Sequence, residues 1–358
     1  MEKIARIAGH FAIDAPVREV TPIGNGLIND SYRVITESGE GYVLQRINHA
    51  IFKDVDLLQH NMECVTAHIR RKLEGAEDID RKVLRLIPLR DSVKTYWTDG
   101  DSYWRMTALI TDSVTVETVT PESSYHAGKA FGDFQAMLSD IEETLGETIP
   151  DFHNMELRAR QLEEAVAADA AGRCSDPEVQ AILEEMRAHM HEMCKAERMH
   201  REGILPKRIC HCDTKVSNML FDREGNVLCV IDLDTVMPSF VFSDFGDFMR
   251  TAGNKVAEDC PDIAKVEFDM DIFRAFTRGY LEATRSFLTS VEKENLPYAA
   301  ALFPFMQAVR FFADYINGDI YYKIAYPEHN LVRTRNQMAL FRDVMSRQDE
   351  MRCFIVEI

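Results

Sequence analysis

Residues 209–234 constrain this chain more than any other stretch. They read Ile209-Cys210-His211-Cys212-Asp213-Thr214-Lys215-Val216-Ser217-Asn218, then a turn at Asp222–Gly225, then Val227-Leu228-Cys229-Val230-Ile231 running into Asp232-Leu233-Asp234. A short apolar strand that ends in acids, preceded by a polar loop holding Asp and Asn, reads as a hairpin with oxygen-bearing side chains at one end. Read without chemistry, the segment is a loop capped by Asp and Asn, which favour turns.

The order of ligand types suggests phosphoryl transfer. That reaction needs placement and charge cancellation more than covalent chemistry. A carboxylate must take the proton of the acceptor hydroxyl, and an amide oxygen with a second carboxylate must hold a magnesium ion bridging the phosphates. H-x-D-x4-N followed by a strand ending in Asp supplies these in sequence. The reading makes Asp213 the base and Asn218 and Asp232 the metal ligands, with Asp234 either a second ligand or a helper. Lys215 either sits beside the transferring phosphoryl group or is a solvated loop lysine. Asp244-Phe245-Gly246 spells the D-F-G of protein kinases but lies 31 residues after Asp213, whereas Asp232 lies 19 after and ends the apolar strand. Asp232 is therefore read as the ligand and Asp244 as a brace for the catalytic loop.

Upstream, Gly24-Asn25-Gly26-Leu27-Ile28-Asn29 joins two strands. Its small residues let backbone N–H groups approach phosphates, although a hairpin turn explains the glycines equally well. No G-x4-G-K-[ST] exists, since Gly128-Lys129 is followed by Ala130. A kinase-like site wants a strand lysine paired with a helix glutamate. Glu63 is a candidate for the acid, but Gln45 stands where the lysine belongs, so Arg46 or another group must meet the α- and β-phosphates.

The remainder of the chain is patterned around this hairpin. Met1–Asp14 has Ile4, Ile7, Ala8 and Phe11 at helical spacing. Strands are expected at Val17–Ile23, Ser31–Thr36, Tyr42–Ile47, Val83–Pro88, Val93–Trp97 and Tyr103–Ile110, with a helix from Asp54 to Leu73. Helices follow at Pro121–Leu138, Glu156–Ala171, Pro177–Arg201, Asp271–Leu288, Pro297–Asn317 and Glu328–Met345. The expected class is α+β, with a small β-rich lobe over 1–110, a connection near Thr107–Asp112, and a large, mainly helical lobe over 111–358. At 358 residues the chain exceeds what one core usually carries.

The 59 acidic residues against 41 basic ones give a formal charge of −18, which repels nucleic acid and anionic lipid. No apolar run reaches a membrane span. The eight scattered cysteines lack a C-x-x-C and read as reduced thiols in a cytoplasmic protein. His189, His191, Cys194 and His200 share one helical segment, but their Glu- and Lys-rich surroundings read as a solvated face.

With these residues in view, the chain resembles the aminoglycoside phosphotransferase-like kinase superfamily, nearest its N-acetylhexosamine 1-kinase branch. The likeness is carried by Cys212-Asp213-Thr214-Lys215, Val230-Ile231-Asp232-Leu233-Asp234-Thr235, Asp244-Phe245-Gly246-Asp247, Phe312-Ala313-Asp314-Tyr315 and the block Tyr326–Arg335. The resemblance implies a protein-kinase-like two-lobe fold, ATP and Mg2+ as cofactors, and transfer to the anomeric hydroxyl of a free N-acetylhexosamine. It places the sugar against Asp213, Arg310 and Tyr321, and the adenine near Thr107–Ile110, with Thr107 and Leu109 among its contacts. Read from the residues, Arg310 on an apolar helix face wants either a sugar or an ion pair with Asp314 or Asp319. Relatives carry a polar residue in place of Leu27 and an aromatic in place of Thr251, which leaves the exact hexose open. The expected partner is a small sugar, with no nucleic acid or membrane, in a monomer or weak homodimer. The alternatives are a kinase of another small alcohol, of aminoglycoside, choline or homoserine type, and a pseudokinase.

Overall fold

The computed structural model describes residues 2–24, 28–116 and 119–358. They form two compact units with interleaved boundaries. The first is Met1–Val116 with Met137–Pro150 and Ser217–Met237, and the second is Glu117–Ala136, Asp151–Val216 and Pro238–Ile358. The architecture is α+β and of the protein-kinase-like kind, with an antiparallel sheet near the N-terminus and a large helical region after it.

The first unit is built on a five-stranded antiparallel sheet in the order β1-β2-β3-β5-β4. Its strands are β1 (Val17–Pro22), β2 (Asp30–Thr36), β3 (Gly41–Ile47), β4 (Tyr96–Thr98) and β5 (Tyr103–Ala108). Alternation gives the sheet two distinct faces. Val34, Tyr42, Leu44, Trp104 and Met106 form an apolar core with Ile7, Ala8 and Phe11, contributed by α1 (Glu2–Ala8) and the residues after it. The other face carries the row Ser31, Gln45, Arg105, fixed by the pairings Ser31↔Gln45 and Gln45↔Arg105.

Helix α2 (Val55–Lys72) begins at Asp54, whose side chain accepts from Leu57 N at 2.9 Å. It buries the expected stripe Val55, Leu58, Met62, Val65 and Ile69. Val83–Pro88 is not the strand its composition suggested. A helical turn, α3 (Ile79–Lys82), precedes it, and only Leu86 makes a ladder bridge, to Thr107. Pro88 has no N–H with which to continue the pairing. The same unit holds the hairpin Met219–Phe221 and Val227–Val230, turned by Asp222, which accepts from Glu224 N at 2.9 Å and Asn226 N at 2.8 Å.

The second unit is helical: α4 (Pro121–Leu138), α5 (Met155–Ala168), α6 (Pro177–Met193), α7 (Lys195–Arg201), α8 (Phe242–Ala252), α9 (Met270–Thr284), α10 (Ser290–Glu294), α11 (Leu296–Ile316), α12 (His329–Ser346) and α13 (Gln348–Glu357). Helix α11 is buried along most of its length and packs on α12, α8 and α5. Glycines set two close approaches. A Cβ on Gly128 would meet Phe276 O at 2.1 Å, and one on Gly246 would meet Ala299 O at 2.5 Å. Gly128-Lys129 is thus a helix-packing site, not a phosphate loop. Among the described residues no helix is long and apolar enough to cross a membrane.

Candidate active site

In the helical unit, the loop carrying Asp213 is held by two carboxylates of α8. Asp244, fully buried, accepts from His211 N at 3.0 Å, Cys212 N at 2.7 Å and Gln135 Nε2 at 2.6 Å. Asp247 accepts from Thr214 N at 3.0 Å and Arg250 Nη2 at 3.0 Å. Thr214 Oγ1 donates back to Asp244 O at 2.7 Å. Burial pushes both carboxyls above the ordinary range, opposed at Asp244 by His211 and the surrounding N–H donors and at Asp247 by Arg250. These bonds hold Cys212 at φ +62, a left-handed conformation uncommon for a non-glycine residue and typical of functional turns. Asp213 follows, a quarter exposed, with Lys215 Nζ 2.9 Å from its Oδ2. The bracing role read for Asp244 from its position is the one its hydrogen bonds give it. Cys210 and Cys212 are buried, and burial raises both thiols well above their usual range.

In the sheet unit, the hairpin brings Asn218 and Asp232 to the same end. Asn218 O accepts Ile231 N at 2.9 Å, so the two residues sit at adjacent strand termini. Asp232 takes a left-handed φ of +61. This hard-oxygen pair, one amide and one carboxylate, suits Mg2+, which usually takes one or two carboxylates and completes its shell with phosphates and water. No three His, Cys, Asp or Glu side chains gather as a metal cluster among the described residues.

Asp234 does something else. It is buried and ion-paired through Oδ1 with Arg105, itself 1% exposed, while Asn29 Nδ2 donates to its Oδ2 at 2.6 Å. Arg105 Nε donates to Gln45 Oε1 at 3.0 Å, and its Nη1 lies 3.0 Å from Met62 Sδ. A carboxylate with both oxygens engaged in this way braces its neighbours. Asn29 likewise acts as a strut, accepting Asn48 N at 2.9 Å on Oδ1.

The cation on the Gln45 face is therefore Arg105, not Arg46. Arg46 points to the other side of the sheet, half-exposed, 3.7 Å from Asp30. Glu63 is exposed and accepts from Thr95 Oγ1 at 2.5 Å, so it does not meet Arg105. The strand register would have found Arg105, a buried cation directly opposite Gln45 on the neighbouring strand. Close by, Gln59 of α2 is 2% exposed, with both polar atoms of its amide unpartnered.

Gly24 has φ +63, and no atom would lie within 4 Å of a Cβ added there, which leaves its backbone open to approach. Asn25 and Gly26, with Leu27, lie outside the described residues. Thr107 is buried two residues from Arg105 on the same face, and Leu109 N donates to Gly41 O at 2.9 Å.

Arg310 and Tyr321 belong to the helical unit. Arg310 Nη1 donates to Gln307 Oε1 at 3.1 Å, and its guanidinium lies 5.7 Å from the ring centroids of both Phe152 and Tyr322. Neither proposed acid pairs with it. Asp314 accepts the N–H groups of Ile320 (3.0 Å), Tyr321 (2.8 Å) and Tyr322 (3.0 Å), and Asp319 pairs with Arg173 at 2.7 Å. Tyr321 is 68% exposed and meets Tyr322 edge-on at 4.8 Å. The histidine cluster disperses: His189 packs edge-on against Phe341, and His200 bonds Leu205 O.

A kinase-like catalytic loop and a hairpin with metal-ligand chemistry define a phosphotransferase class. Residues 19–285 match the phosphotransferase enzyme family, and the chain belongs to it. Its fold is similar to those of an aminoglycoside phosphotransferase from Alicyclobacillus acidocaldarius (TM-score 0.67, 14% identity, covering 99% of this chain and 96% of that one), a microcompartment-associated aminopropanol kinase (0.61, 13%, 98% of each) and choline kinase from Cryptosporidium parvum (0.59, 15%, 99% of each).

Proposed function

We propose that this protein is an ATP- and Mg2+-dependent kinase that phosphorylates the anomeric hydroxyl of an N-acetylhexosamine such as GlcNAc or GalNAc. The observation that supports a sugar acceptor is Arg310. It is a part-buried guanidinium flanked by the aromatic rings of Phe152 and Tyr322, bonded only to a neutral amide, with both acids that could have neutralised it engaged elsewhere. Such a group is furnished to donate hydrogen bonds to hydroxyl or carbonyl oxygens over an aromatic floor.

In this reading Asp213 takes the anomeric proton. Lys215, 2.9 Å away, adds positive charge beside the transferring group. Asn218 and Asp232 would hold Mg2+, which neutralises charge on the phosphates when bound. Asp234 and Arg105 stiffen the segment that presents Asp232, and Asn29 is bonded to that same Asp234. In the same reading, Thr107 and Leu109 would contact the adenine. The protein would act in the cytoplasm on a free small sugar, as a monomer or weak homodimer.

The structurally similar kinases of amino alcohols make a second acceptor class worth testing. Incubation with MgATP and a panel of reducing sugars, choline, ethanolamine and an aminoglycoside, followed by phosphorus NMR of the product, separates them. A phosphate coupled to an anomeric proton is expected. A phosphate on an amino alcohol, or ATP hydrolysis that no acceptor stimulates, would refute the sugar assignment.

A further inference from the structure

Two arginines of the helical unit converge on one residue. Arg158 Nη2 donates to the Phe152 carbonyl at 2.6 Å and the Asp151 carbonyl at 3.2 Å, and its Nη1 donates to Gln161 Oε1 at 2.9 Å. Arg310 lies 5.7 Å from the ring of that same Phe152. His153 stacks on Phe152 at 4.3 Å and meets Phe303 edge-on at 4.8 Å, with Nδ1 buried and unpartnered.

Asp151 opposes the charge of Arg158 without forming an ion pair with it. Among the described residues, neither Arg158 nor Arg310 forms an ion pair. Asp247 and Glu258 serve Arg250, Asp314 serves the amides of residues 320–322, and Asp319 serves Arg173. Asp151 is exposed and accepts from Asn154 Nδ2 at 2.7 Å. Burial, followed by the neighbouring Arg310, lowers Arg158 to about 10, and the same kind of surroundings, with Arg310, Arg158 and Arg250, hold His153 neutral. In the same unit, Arg250 is bonded to Asp247, which holds Thr214 next to Asp213.

We propose that Arg158 and Arg310 make the acceptor site cationic, so that it admits sugars bearing neutral or oxyanion substituents and rejects those bearing a protonated amine. This rests on the sugar-kinase reading of the site. An ammonium offers three donors and no acceptor, so it can neither accept from Arg310 nor avoid the like charge of Arg158. An acetamido carbonyl or a hydroxyl accepts from Arg310 directly. For like charges ~6 Å apart at an effective dielectric of ~20, the discrimination is on the order of a hundredfold. Arg158 contributes through its charge while its N–H groups hold the backbone, which makes it a specificity-determining residue and not a catalytic one.

The test compares kcat/KM for glucose, glucosamine and N-acetylglucosamine with MgATP at pH ~6.5, where an amine like an α-amino group is still protonated. Glucose and glucosamine differ at one position, a hydroxyl against an ammonium. Glucosamine is expected to be at least ~10-fold worse than glucose in the wild type. Arg158→Gln should narrow that gap, and Arg158→Lys should preserve it. Equal kcat/KM for glucose and glucosamine in the wild type overturns the proposal without need of any variant, as does a gap that Arg158→Gln and Arg310→Gln both leave intact. Either result leaves the sugar-kinase reading standing. Preference for choline or ethanolamine over every neutral sugar overturns both.

Discussion

Arg105 of β5 and Asp234 form an ion pair in which both side chains are almost wholly buried, and the same aspartate anchors Asn29. Breaking one side of such a pair strands the other charge in a dry interior, at a cost of about 3–5 kcal/mol. Arg105→Met and Asp234→Leu should each lower the unfolding free energy from denaturant titration by that much. The double variant should regain most of the loss, because two apolar groups of similar volume need no partner. Turnover should stay low in the double variant, since Asn29 and Gln45 lose their anchors. A double variant as unstable as the sum of the singles would show that the pair is not a unit.

Asp213 is the group whose removal should matter most to chemistry and least to folding. The backbone on either side of it is held by Asp244 and Asp247. Asp213→Asn should lower kcat by at least ~10³-fold with the melting temperature and nucleotide affinity little changed. Asp244→Ala should instead unfold the loop and reduce stability, as expected for a buried acceptor of three hydrogen bonds. Near-normal turnover in Asp213→Asn would remove Asp213 from the role of base.

The sequence made the local periodic elements legible and left the long-range ones hidden. The stripe Val55–Ile69 announced α2, and the β-branched runs announced β1 to β3, because period alone carries those signals. Helix α8 was not read from the sequence: residues 242–249 are all buried, and its polar residues Asp244 and Asp247 face the backbone of residues 211–214 and not solvent. The predicted helix Pro177–Arg201 breaks at Cys194, where α6 ends and α7 starts. At the candidate site, the segment from Asp213 to Asp232 stood out because its oxygen-bearing side chains are close in sequence. The Arg105–Asp234 pair spans 129 residues and Arg158–Phe152–Arg310 more than 150, and no local pattern encodes such partners.

The segment Ile320–Tyr322 is shaped by one carboxylate. Asp314 receives three successive backbone N–H groups there and the amide of Asn330 at 2.9 Å. Asp314→Asn keeps one acceptor oxygen and replaces the other with a donor that faces N–H groups. Its KM for the acceptor should rise about tenfold, with KM for ATP unchanged, because Tyr321 and Tyr322 lose their fixed positions. Separate titrations of the two substrates check this. An equal rise in both constants would mean that Asp314 supports the whole unit and not the acceptor loop.

Glu197 gives the protein a built-in alkaline weakness. Its Oε1 accepts Met155 N at 2.7 Å at the start of α5, while Oε2 is buried without a partner. Burial raises this carboxyl to about 7. The unfolded chain releases the proton near 4.3 and the folded one holds it until about 7, so the unfolded state binds fewer protons across that window and stability falls as pH rises through it. The loss is complete above about 7 and on the order of 2–3 kcal/mol, reduced by whatever water reaches the group. Glu197→Gln keeps the acceptor oxygen and carries no charge. It should leave the melting temperature unchanged at pH ~4, raise it at pH 8, and flatten the profile between, because the amide does not titrate. Melting curves of the two proteins from pH ~4 to 9 test this directly. A wild-type profile that rises or stays flat between 5 and 7 would place the proton elsewhere, and equal destabilisation of Glu197→Gln at every pH would mean that the carboxylate is held ionised by groups other than the Met155 amide.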